Sequence, residues 1–136
     1  METDNTVSIW IGNFKNLTEL ENYINLTYDD EGEIVVSDFF NDFKIDINDI
    51  DEDLIEKAVL PNETNDISII LRTASYEEQL LCELNALESL TINKGNAVVL
   101  LYNYAYDGSV KSSDYLNFIT SVDYRWNNNL GVLLPS

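Results

Sequence analysis

The chain predicts an α+β fold: an antiparallel or mixed sheet that includes an N-terminal strand and a C-terminal hairpin, with helices packed on it. Three observations carry this. TVSIWIGNF (6–14) alternates, with Val7, Ile9 and Ile11 on one face and Ser8 and Trp10 on the other, the period of a strand. Two more strand-like runs, NAVVLLYNYAY (96–106) and YLNFITSVDYRW (115–126), lie together near the end. The segments between the first run and these two have helical spacing. Strand and helix therefore do not alternate, and a doubly wound parallel fold is disfavoured.

Taken in order, Gly12-Asn13 ends the first strand. Asn16 with Glu19 three residues on resembles a capping box, and Leu17, Leu20, Tyr23, Ile24 and Tyr28 follow at helical spacing, so a helix is expected over 17–28. DDEGE (29–33) is a turn. Ser37 caps a short helix carrying Phe39, Phe40 and Phe43, and Asp49 or Asp51 caps another running through Leu54, Ile55 and Ala58 to its end at Pro61. DISIILRT (66–73) suits helix or strand; a short helix capped by Asp66 is preferred. Ser75 with Glu78 opens the clearest helix, with Leu80, Leu81, Leu84, Leu87 and Leu90 as its buried stripe and Cys82 packed beside it as an inert thiol. The run 96–106 is apolar on both faces at first, as a central strand is. Asp107-Gly108 and a short polar loop then join it to 115–126 as a hairpin. In that last strand Leu116, Phe118, Val122, Tyr124 and Trp126 share one face. GVLLPS (131–136) reads as a final short strand or a tail.

The 136 residues suit a single domain, 1–136. With 45% hydrophobic residues, thirteen of them Tyr or Phe, the chain is too apolar for a disordered acidic polymer. One cysteine forms no internal disulfide, and METDNTVSIW has no basic residue ahead of an apolar run, so a reducing cytoplasm is the expected location. No apolar stretch approaches the roughly 20 residues of a membrane helix. The absence of histidine excludes Ser-His and Cys-His nucleophile pairs and His-containing zinc sites.

Net charge is −18 and uneven: residues 1–66 hold 18 Asp and Glu against 3 Lys, and residues 67–136 hold 7 against 4 Lys and Arg. Such a surface repels nucleic acid and anionic membranes and attracts basic proteins. The densest stretch, DINDIDEDLIE (46–56), has six carboxylates in eleven residues. As a calcium loop begun at Asp49 it fails, with Leu54 where glycine is needed and Leu60 where glutamate is needed. As a catalytic pair it would need an apolar pocket to raise one carboxyl pKa, and a dense cluster interleaved with only three isoleucines and a leucine suits a solvated face instead, which does not argue for catalysis. Solubility and a basic partner remain. Ile47, Ile50, Leu54 and Ile55 would anchor the segment and hold its carboxylates outward. The expected contact region is Asp46, Asp49, Asp51, Glu52, Asp53 and Glu56, with Asp29, Asp30 and Glu31 as a second edge. Trp10, Tyr102, Tyr104 and Tyr106 are candidate hot spots, core packing being the favoured role of each.

The runs WIGNF (10–14), DFKID (42–46), DEDLIE (51–56) and LLYNYAYDG (100–108), in this order, resemble the immunity protein 22 family of bacterial polymorphic toxin systems. The similarity runs from Val7 to about Tyr124. It implies an α+β protein of the producing cell's cytoplasm that binds and neutralises a cognate toxin domain, with no enzymatic activity and no cofactor. It supplies no mapped binding site, so the contact residues above rest on charge. The partner is expected to be basic, as a nuclease is, and a monomer is slightly favoured. The competing readings are an acidic DNA mimic that inhibits a nucleic-acid-binding protein, a small non-catalytic adaptor domain, and a hydrolase with an Asp/Glu mechanism.

Overall fold

The computed structural model describes residues 2–87 and 92–125, with side chains from residue 5 onward. Its frame is an antiparallel sheet of β4 (Ile55–Thr64), β5 (Gly95–Tyr104), β1 (Glu2–Gly12) and β6 (Leu116–Asp123), in that spatial order. The fold is α+β. Both faces of the sheet are apolar, because β1 buries both of its sides. Trp10 points into a cluster with Phe39, Phe43, Leu20 and Tyr106, and Val7, Ile9 and Ile11 point into another with Ile70, Leu71, Leu80 and Leu84. Helices α1 (Leu17–Ile24) and α2 (Asp38–Asp42) cover the first face, and α3 (Ile67–Ile70) and α4 (Glu77–Asn85) cover the second.

The caps at Asn16 and Asp66 form as expected: Asn16 Oδ1 accepts from Glu19 N at 2.9 Å and Asp66 Oδ1 from Ser68 N at 3.0 Å. Helix α1 stops a turn early. Asn25 turns extended, and Thr27–Tyr28 (β2) pairs with Ile34–Val35 (β3) as a small hairpin. The expected helix from Asp49 or Asp51 through Ala58 is two 3₁₀ turns, Ile47–Asp49 and Glu52–Leu54, followed by strand β4. Leu54, Ile55 and Ala58 suit a helix, yet Ile55 and Val59 go to one face of the sheet and Ala58 and Leu60 to the other, which is strand alternation. Pro61 does not end the element, because an edge strand tolerates it. At α4, Ser75 bonds Glu56 rather than capping the helix. The stripe centres on Leu80 and Leu84, so Cys82, two residues on from Leu80, is exposed rather than packed, as is Leu87. Leu90, Trp126 and the 131–136 tail lie outside the described residues.

The two C-terminal strands do not pair as a hairpin. Each is antiparallel to β1, which lies between them, so they run in the same direction. Residues 105–115 therefore cross the sheet, on the Trp10 side. Tyr106 packs on Trp10 with ring centroids 5.3 Å apart, and its hydroxyl donates to Phe43 O at 2.7 Å. A strand apolar on both faces needs a neighbour at each edge, and β1 meets that need by inserting. The predicted single face of the last strand is also split. The register shifts by one between Ile9 and Trp10, leaving Ile119 unmatched. Leu116 and Phe118 then join Trp10, while Val122 and Tyr124 join Val7.

Ser8 is the polar centre of this arrangement. Its hydroxyl, fully buried, donates to Tyr104 O at 2.7 Å, lies 2.7 Å from Ser121 Oγ and accepts from Tyr106 N at 2.9 Å. With its single proton on Tyr104, Ser8 must accept from Ser121, which fills one donor and two acceptor positions. Ser8→Ala strands three partners from β5, β6 and the crossover. It is expected to cost about 2–3 kcal/mol, read as a lower urea midpoint at unchanged slope.

Three tyrosines link the core to pH. Burial, then the Asp42 carboxylate, raises Tyr23, whose hydroxyl donates to Asp42 at 2.6 Å. Burial, then Glu56, raises Tyr102, and burial, then Asp49, pushes Tyr104 up to about 12. The folded chain thus keeps protons that the unfolded chain releases near pH 10. Their contribution is complete below about pH 10 and falls as pH rises through 12. Urea midpoints that stay level from pH 9 to 12 would contradict this; a progressive fall, reduced in Tyr102→Phe, is expected.

Candidate protein-binding interface

The acidic residues are placed by turns. At the hairpin, Asp29 accepts from Glu31 N and Glu33 N, both at 2.9 Å, and Gly32 takes the left-handed conformation (φ 81°) that closes the turn. In the first 3₁₀ turn Asp46 accepts from Asn48 N at 2.9 Å, and in the second Asp51 accepts from Asp53 N at 3.0 Å. The interleaved apolar residues do anchor the segment: Ile47, Ile50 and Ile55 pack on the Trp10 cluster and Leu54 on the opposite one.

The two acidic stretches meet. Tyr28, at the root of the hairpin, donates its hydroxyl to Glu52 Oε1 at 3.2 Å, and that carboxylate raises the phenol's pKa. Between them lies an open groove of about 570 Å³, lined by Leu26, Ile34, Ile47 and Ile50 with Asp51, Glu52 and Asp53 at its side. Tyr28 and Ile34, 59% and 44% exposed, are cross-strand partners and share one face of the hairpin, while Val35, 46% exposed and opposite Thr27, faces the other way.

Besides Glu52, which accepts from Tyr28, the eight other expected contact residues fall into distinct groups. Asp29, Asp46 and Asp51 hold turns. Asp30, Glu31 and Asp53 are exposed, and their carboxylates accept no hydrogen bond among the described residues. Asp49 lies near Tyr104, whose pKa it raises. Glu56 stands apart: it accepts from Ser75 N, Ser75 Oγ and Tyr102 OH, tying β4 to β5 and to the segment before α4. Among the described residues no group of three or more acidic or cysteine side chains is placed to hold a metal.

Trp10, Tyr102, Tyr104 and Tyr106 are all buried, so packing is their role. Of the exposed residues, Tyr28 is expected from sequence on a helix's apolar stripe and lies in β2 instead, and Ile34 and Val35 are not singled out by sequence. Their signal is the pair of β-rich dipeptides, Thr27-Tyr28 and Ile34-Val35, flanking a Gly-containing acidic turn.

A sheet covered on both faces, with an apolar groove flanked by carboxylates, defines an acidic α+β protein. The chain belongs to the immunity protein 22 family, whose model matches residues 7–125. No curated protein and no solved structure matches it. Membership assigns the chain a role in toxin immunity, and with it a toxin partner. No helix among the described residues is long and apolar enough to cross a membrane.

Proposed function

We propose that the protein binds a cognate toxin domain in the cytoplasm as a 1:1 complex and neutralises it by occlusion, without catalysis or cofactor. The contact surface is the groove between the β2–β3 hairpin and the two 3₁₀ turns. Tyr28 and Ile34 are its apolar anchors, and Asp30, Glu31, Asp49, Glu52 and Asp53 its charged rim. Asp29, Asp46 and Asp51 shape the rim, while Glu56 supports it from the strand behind.

The observation that carries this reading is the convergence, through Tyr28 and Glu52, of two acidic stretches around exposed apolar side chains. Carboxylates alone are explained by solubility. Solubility does not explain large apolar groups left in water at their centre. The surface suits a basic toxin such as a nuclease, whose site must hold phosphates. The net charge would speed encounter, and the apolar contacts would slow departure.

The test is co-expression with the toxin domain encoded beside this chain, scored for growth and for a co-purifying complex. Rescue with a stable 1:1 complex is expected. Continued toxicity with no complex would remove the toxin link.

A further inference from the structure

The sheet ends at β4, and the outer side of β4 is open. β4 pairs with β5 alone; Ile55 N–H closes the preceding turn onto Glu52 O, and among the described residues no backbone hydrogen bond outside the β4–β5 ladder engages Glu56–Val59. An open edge offers N–H and C=O groups to any extended chain. Proteins blunt such edges with proline and bulges. Here both fall further along, where the register breaks between Val59 and Thr64 and Pro61 interrupts the strand. Ile55–Val59 stays regular.

This regular stretch is the floor of a groove of about 260 Å³ that wraps the edge. Leu17 and Glu21 of α1 wall it on one side of the sheet, and Thr73 and Ala74, before α4, on the other. Leu17 is 45% exposed there, although its spacing suggests a core residue.

We infer that an extended segment of the toxin domain lies in this groove and pairs with β4 as a fifth strand. The inference rests on the immunity reading and states how that complex is gripped. Charge selects the occupant. Glu21 flanks the edge, and Glu52 and Asp53 stand in the turn from which β4 emerges, so the incoming strand carries Lys or Arg at its flanks and a neutral side chain opposite Lys57. A second copy of this chain would bring two strongly acidic halves together, which is unfavourable. Main-chain hydrogen bonds would supply affinity, and the alternating side chains, against Leu17 on one face and Ala74 on the other, specificity.

Hydrogen exchange on the protein, free and bound to the toxin domain, tests this. Alternate amides within Glu56–Val59 are expected to slow at least ~10-fold on binding. Lys57→Pro and Ala58→Pro complete the test. Their N–H groups point to opposite sides of the strand, so one of the two spares the β4–β5 ladder. That variant should fold and lose at least ~100-fold in affinity, about 2.7 kcal/mol. If the complex forms, Glu56–Val59 exchange equally fast in both states and the folded proline variant binds like wild type, the added strand is refuted while the immunity reading stands. Edge amides protected in the free protein at high concentration, with dimers in sedimentation, would give the edge to a second copy and equally refute it. Absence of any complex would overturn both.

Discussion

Trp10→Ala is expected to unfold most of the protein under mild conditions. The indole is fully buried, and its ring centroid lies 5.1 Å from Phe39, 5.7 Å from Phe43, 5.3 Å from Tyr106 and 5.1 Å from Phe118. It therefore ties β1 to α2, to the crossover and to β6. Truncation costs about 3–5 kcal/mol, and loss of the aromatic pairs adds about 0.5–1.5 each. Set against a total stability of about 5–15 kcal/mol, little remains. Trp10→Phe is the informative control. Trp10 Nε1 is buried with no hydrogen-bond partner among the described residues. Removing it relieves a desolvation cost of about 1–3 kcal/mol, which offsets much of the smaller cavity. Urea unfolding should place Trp10→Phe near wild type and Trp10→Ala far below it. A loss under about 2 kcal/mol in Trp10→Ala would mean that the core is packed differently.

The second large effect is on association. Reversing Asp30, Glu31 and Asp53 to lysine changes the net charge from −18 to −12 without touching the carboxylates that hold turns. Toxin association at low salt should slow by about one to two decades, and the difference should vanish near 1 M salt, where the Debye length is about 3 Å. Dissociation should change less. Tyr28→Ala with Ile34→Ala should do the reverse, leaving association near wild type and raising dissociation by at least ~10-fold. Equal association rates for the charge-reversed protein and wild type at low salt would place the interface elsewhere.

The acidic stretch shows how far sequence reading reaches. That its isoleucines anchor and its carboxylates face outward was legible, because side-chain polarity alone decides it. That Asp51 spends its carboxylate on a turn was legible in part, as one of two expected caps, but it opens a single 3₁₀ turn rather than a helix, and the turn before it is capped by Asp46, not Asp49. Glu56 was indistinguishable from its neighbours by composition. On β4 it pairs with Leu100, which brings its carboxylate within reach of Tyr102 two residues along β5 and of Ser75 before α4; that makes it a structural ligand, and it follows from tertiary packing alone.

By itself the sequence determined what depends on residues within about four positions of one another: the Asn16 and Asp66 caps, the Phe39–Phe43 turn, the alternation of β1 and the two-faced apolarity of β5. It also determined the charge, which needs no structure. The tertiary structure alone decided that β1 separates β5 from β6, that Ile55–Thr64 is an edge strand, that Ile119 bulges and that the hairpin at 27–35 meets the turn at Glu52. These rest on contacts between distant parts of the chain, as in the bond between Ser8 and Tyr104, 96 residues apart. Local periodicity says which side chains want burial. Which strand lies beside which, and which edge stays open, is set by the competition among all of them for the same sheet.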